Sequence, residues 1–177
     1  EKATLASQRM LRKLRADRGI DVRQIGASMR GGQQAIDLMG LDVYTMPCAV
    51  AKAYLEANPG AGEVRDRTGD DPAVSLDGGR SVEGEKLDVF WALSAEWEKA
   101  ISALFEANLD AMTGSELCAF LKEHGQGDLF ADLSDADRQA ITEHGKIPSY
   151  AAWSEQVKAG TASWDGLLTD SALHSLS

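Results

Sequence analysis

What most narrows the fold of this chain is a run of alternating elements in residues 3–57, joined by almost no connecting sequence. ATLASQRMLRKLRADR, residues 3–18, places Leu5, Met10, Leu11 and Leu14 near helical spacing, with no Gly or Pro before Gly19. VRQIGASMR then reads as a strand around Val22, Ile25 and Ala27 that ends at Ser28 and Arg30. Gly31 and Gly32 introduce a short helix, QQAIDLMGL, closed near Gly40, and DVYTMP reads as a second strand stopped by Pro47. Residues 48–57 return to a helical pattern. The order helix, strand, helix, strand, helix signals parallel βαβ construction. Parallel strands normally sit in covered sheets of several strands, so this segment calls for partner strands that the chain does not supply.

Beyond it the text changes. Residues 59–86 are dense in Gly, Asp, Pro and Ser and read as a linker. Asp70 and Asp71 lack the ligand spacing and central Gly of a calcium loop, which favours a solvated turn. Residues 87–177 read as helical. Leu87, Phe90, Trp91, Trp97, Ile101, Leu104 and Phe105 form a broad apolar stripe, with Ser94 as a candidate cap. Thr113 with Glu116 and Ser134 with Asp137 have capping-box spacing, and Gly125 and Gly145 stand where those helices would end. Tyr150, Trp153 and Trp164 gather in the last segment; for Trp91, Trp97, Trp153 and Trp164 a helical core is the simpler reading and interface anchors the other.

Composition bounds function. Hydrophobic residues make up 44% and charged residues 26% of the 177, a globular balance with no apolar run of membrane-helix length. The net charge of -10 divides unevenly: residues 1–59 carry 9 basic and 6 acidic side chains, residues 60–177 carry 9 and 22. The second part should repel polyanions, so nucleic acid is disfavoured as a partner, while small anions could bind the first. Cys48 and Cys118 stand seventy positions apart, which gives neither metal spacing nor a disulfide framework, and a reducing cytoplasm is the default. His124, His144 and His174 are too scattered for metal ligands and read as helix-end residues. The chain opens on Glu1 without a secretory pattern, and excision from something longer is the favoured reading.

Residues 22–55, VRQIGASMRGGQQAIDLMGLDVYTMPCAVAKAYL, resemble the seventh and eighth strand units of the transaldolase family. The likeness rests on the G-A-S-x-R strand end at Gly26–Arg30, the Gly40-Leu41-Asp42 turn, and the V-Y-T-M-P strand leading into a helix; with the preceding basic helix it covers about 55 residues. It implies an α/β fold: residues 1–58 as the last βα units of a (β/α)8 TIM barrel, joined by the 59–86 linker to a mainly helical extension, 87–177. It also implies a transferase that moves a dihydroxyacetone unit between sugar phosphates through a lysine Schiff base. In that family the Ser and Arg of this strand end hold the substrate phosphate, which assigns Ser28 and Arg30 to a sugar-phosphate substrate. As a strand pair two apart, both side chains could converge on one anion. The plainer alternatives are a surface ion-pair role for Arg30 and a helix cap for Ser28.

None of the eight lysines occupies the family's Schiff-base position. Lys52, the one lysine inside the matched stretch, falls on the helix after the second strand, where solvent exposure is expected. The chain alone is therefore expected to be inactive, with no catalytic residue, no metal and no cofactor of its own. The rest of the barrel, or a second chain, would be its partner. Competing readings are a non-catalytic helical assembly module and another phosphate-binding barrel, such as a sugar-phosphate aldolase; a homo-oligomer stays open.

Overall fold

The computed structural model describes residues 1–131, 133–145 and 147–174, the last without the His174 side chain. The chain divides into two compact units, Glu1–Val74 and Ser75–Ser177. The 59–86 stretch is shared between them.

In the first unit, α1 spans Lys2–Arg18 and stops at Gly19, whose left-handed backbone (φ 65°) lets its N–H reach the Arg15 carbonyl. Arg15 and Arg18 in the last turn suit the negative end of the helix. Then come β1 (Ile25–Gly26), α2 (Gly32–Asp37), β2 (Val43–Tyr44) and α3 (Cys48–Ala57). The strands pair in parallel, Ile25 opposite Val43 and Gly26 opposite Tyr44, as the short connections require. Their ladder extends through Val43 N–H to the Gln24 carbonyl and Thr45 N–H to the Gly26 carbonyl. Leu5 of α1, Met29, Ala35, Leu38, Leu41 and Val50 form the core, with Tyr44, Met46 and Tyr54 packed against it. The Tyr44 hydroxyl staples the turn before its strand: it donates to the Leu38 carbonyl at 2.7 Å and accepts the N–H groups of Gly40 and Leu41.

The expected fold class, the C-terminal portion of a (β/α)8 TIM barrel within an α/β chain, is corrected by this architecture. The described residues form no barrel; they are mainly helical, with one sheet of two parallel strands, two residues each. The reason lies after Pro47, where the described chain makes helices and 3-10 turns and no further strand for β1 or β2 to pair with. Ile25 stays 60% exposed and Val43 40%.

The arginine face of α1 is bound by the segment after α3. Arg12 Nη1 donates to Asp66 Oδ2 at 2.8 Å and to Thr68 Oγ1 at 2.6 Å, while its Nη2 donates to the Gly40 carbonyl at 2.7 Å. Arg9 binds the Thr68 and Asp70 carbonyls. Lys2 pairs with Asp71, and Arg65 grips Asp70 through two nitrogens. Residues 65–71 are thus bound along α1. Asp42 collects a second set of donors: Arg15 Nη2 at 2.8 Å, Gln8 Nε2 at 2.9 Å and the Gln24 N–H at 3.0 Å.

In the second unit, 3-10 turns at Asp77–Gly79, Leu87–Phe90 and Leu109–Ala111 accompany α4 (Ala95–Glu106), α5 (Gly114–Glu123), α6 (Asp135–His144), α7 (Tyr150–Ala159) and α8 (Trp164–His174). Ser94 caps α4, and both capping boxes form as their spacing indicates. Trp153 and Trp164 are core residues, packed with Ile141, Val157, Ala162 and Leu167. The apolar stripe of α4 is less buried than its pattern suggests: only Ala100 is fully covered, and Phe105 is 81% exposed. No described helix is long and apolar enough to cross a membrane.

Candidate functional site

The loop between β1 and α2 carries both residues assigned to phosphate. The strand ends at Gly26, so Ser28 and Arg30 lie beyond it rather than on it. Ser28 takes a left-handed backbone (φ 58°), which interrupts the side-chain alternation that would have governed a continuing strand. The Met29 side chain is 2% exposed in the core, and Ser28 and Arg30 on either side of it remain exposed. Burying the middle residue fixes the loop and presents its neighbours to solvent.

Arg30 is held close to Ser28. Its Nη1 donates to the Ser28 carbonyl at 2.9 Å, and its backbone N–H donates to Gln34 Oε1 at 2.6 Å. That leaves the rest of the guanidinium fork as an exposed donor set, and Ser28, whose carbonyl it binds, is exposed as well. Ser28 does not cap α2: the capping position belongs to Gly31, and no side chain bonds there. Arg30 makes no ion pair among the described residues.

Glycine is required just past this loop, at Gly32, the first residue of α2. A Cβ there would sit 2.6 Å from the Tyr54 backbone nitrogen, so the residue lets α2 lie against α3. At Gly31 a Cβ would meet nothing within 4 Å, and that side of the loop is open. With six residues, α2 is too short to add a strong dipole of its own to anion binding.

Gln34 was not singled out in the sequence, although its place four residues after Arg30 was the available signal. Lys52 is exposed and pairs with Glu56 at 3.6 Å, an ordinary surface lysine. Cys48 and Cys118 are free and exposed. Among the described residues no group of three or more His, Cys, Asp or Glu could hold a metal ion. His124 closes α5 with a ring nitrogen 2.8 Å from the Phe120 carbonyl, and His144 lies in the last turn of α6. The side chain of His174 lies outside the described residues.

The second unit holds a polar centre that the sequence did not reveal. Glu85, among the buried residues, accepts from the Tyr150 hydroxyl at 2.8 Å and pairs with Lys158 at 3.3 Å, while its carbonyl accepts from Trp164 Nε1. The Tyr150 hydroxyl and the Lys158 ammonium hold the Glu85 carboxyl below its ordinary pKa. Arg80 stands over the Tyr150 ring, 4.7 Å from its centroid. Every member is matched within the cluster, which fits a structural tie between α7, α8 and the Glu85 turn.

No protein-family model, curated protein or solved structure matches this chain.

Proposed function

We propose that the loop at residues 27–31 holds the phosphate of a sugar phosphate in a transaldolase-like transferase, with Arg30 as the charged fork and Ser28 as a hydroxyl donor. The observation that carries this reading is the buried Met29 between two exposed donors, with Arg30 bound to the Ser28 carbonyl at 2.9 Å. The reading rests on the sequence likeness together with that geometry. It assigns the chain the anion-holding part and assigns the Schiff-base amine to a partner, since Lys52 is exposed and no other lysine lies in the matched stretch.

Titration of the full chain with a ketose phosphate, beside the same ketose without phosphate, tests the assignment. Arg30→Ala should weaken binding of the phosphorylated sugar about ten- to a hundredfold and leave the unphosphorylated one unchanged. Arg30→Lys should recover part of the loss, because an ammonium lacks the two-pronged fork. Equal losses on both sugars would remove phosphate from the role of Arg30. Borohydride trapping with the ketose phosphate should label no lysine of this chain on its own.

A second reading, an assembly role for the helical region, draws on Phe105 at 81% exposure with Leu109 half-exposed a turn later. Concentration-dependent sedimentation that Phe105→Ser abolishes would support it.

A further inference from the structure

A cavity of about 360 Å³ lies wholly within the second unit, among the Leu87–Phe90 turn, the start of α4, the segment between α5 and α6, and the start of α8. Small-molecule sites commonly occupy about 300–1,000 Å³. Gln126 borders this cavity at only 6% exposure, and its side-chain amide makes no hydrogen bond with a described residue. The amide atoms are not themselves fully enclosed, so their hydrogen-bonding capacity is open to an occupant. Asp165 borders the same cavity, and one of its carboxylate oxygens is enclosed without a donor.

The remaining chemistry selects the charge of an occupant. Asp88, Glu96 and Asp128 join Asp165 in the lining, against the one ammonium of Lys86 among the described lining residues. Ionised carboxylates only accept hydrogen bonds, so the occupant must donate them. An anion would be repelled. The indoles of Trp97 and Trp164 border the cavity as well, and indole is the strongest of the aromatic attractors for a cation. Val89, Val157 and Ala162 supply an apolar wall for a carbon stem.

We propose that this cavity binds a small organic cation, a primary amine or guanidine on a short carbon chain. Its charged head is held by Asp165 and the neighbouring carboxylates, with an N–H donated to the Gln126 amide oxygen and the stem along the apolar wall. The site lies within Ser75–Ser177 and does not depend on the phosphate reading of Ser28 and Arg30.

The test is a titration of the full chain with agmatine, which carries both head groups, read by tryptophan fluorescence because Trp97 and Trp164 line the site. Salt of about 0.15 M screens diffuse attraction to the acidic surface. Agmatine should give a saturable change, and neutral 1,4-butanediol none. Asp165→Asn and Gln126→Leu should each weaken binding at least about tenfold, as loss of one charge-assisted or buried hydrogen bond implies. Asp110→Asn, an exposed acid outside the lining, should leave it unchanged. No saturation, an equal response to butanediol, or an equal loss in Asp110→Asn would overturn the proposal. Should either cavity variant fail to fold by circular dichroism, amide shifts of the wild-type chain decide: agmatine must move Gln126, Asp165 and the Trp97 indole, and shifts centred elsewhere overturn the site.

Discussion

The two units solve the same problem, ordering a short chain, by different means. In Glu1–Val74 the polar ties reach far along the sequence: Arg12 to Asp66, Arg9 to the Thr68 and Asp70 carbonyls, Arg15 to Asp42. In Ser75–Ser177 three helix starts are fixed within three residues by Ser94, Thr113 and Ser134, and the long-range work falls mainly to large apolar side chains around Trp153 and Trp164, joined by the polar centre at Glu85. The first unit thus depends on charge and on close backbone approach, the second on burial and local caps. Substitutions should separate the two dependences.

The largest effect is expected in the second unit. Trp153 is 1% exposed, and Trp153→Ala should cost about 3–5 kcal/mol, the range for removing a buried aromatic side chain. Its indole N–H is buried without a partner, so Trp153→Phe, which removes that orphan, should cost clearly less than Ala. Denaturant unfolding of the full chain with site-resolved amide exchange would show the loss on α7 and α8. Equal costs for Phe and Ala would mean that the indole's volume is not what organises this core.

Next comes close approach in the first unit. Alanine is the better helix former, yet Gly32→Ala would set a methyl 2.6 Å from the Tyr54 nitrogen and 2.8 Å from the Ala53 carbonyl carbon, backbone that cannot swing aside. Overpacking of this kind costs about 1–3 kcal/mol. Gly31→Ala, one residue earlier in open space, is the control and should be near neutral. A stabilising Gly32→Ala would show that α2 and α3 are not held by their backbones.

Smaller again are the caps. Thr113→Ala removes the hydroxyl that accepts the Glu116 N–H and should cost about 1 kcal/mol, and Ser134→Ala about the same. Thermal unfolding measures both; no change in either would mean those helix starts are fixed by packing alone.

What was legible in the sequence follows the same division. The capping boxes, the Gly145 stop and the parallel βαβ order were readable because each is set by residues a few positions apart. The bound arginine face was not, because Arg12 and Asp66 are fifty-four positions apart and no local spacing joins them. The cavity bordered by Gln126 and Asp165 was illegible for the same reason, since its walls come from turns and helix starts scattered between residues 86 and 165. At the phosphate loop, Ser28 and Arg30 were found by resemblance, while the left-handed turn at Ser28 and the anchoring of Met29 could only be seen in three dimensions. The barrel expectation failed at the step from a local βαβ pattern to a sheet of many strands.

The smallest expected effect bears directly on that division. Asp66 accepts from the Thr68 hydroxyl, the Arg12 guanidinium and the Thr68 N–H, and these donors, the Thr68 hydroxyl foremost, hold its carboxyl down at about 2. An unfolded aspartate titrates near 4, as a typical value of about 3.9 indicates. The folded state therefore binds a proton less readily than the unfolded one, and Asp66 adds stability that is complete above pH 4 and disappears as the pH falls through 2. Because the Asp66 side chain is 54% exposed, solvent weakens the pair, and the contribution should be about 0.2–1 kcal/mol. Asp42, Asp70 and Asp71 are also held low by their donors and lose stability over an overlapping range, so the wild-type curve alone is ambiguous. Asp66→Asn keeps those three carboxylates and removes one titration. The difference in unfolding free energy between the two proteins should shrink between pH 4 and pH 2, and the wild-type Asp66 carboxyl should show a midpoint near 2 by NMR. A constant difference, with an ordinary midpoint, would mean that Arg12 and Asp66 are neighbours without coupling, and that residues 65–71 are held to α1 by the contacts of Arg9, of Arg12 with Thr68 and of Lys2 with Asp71.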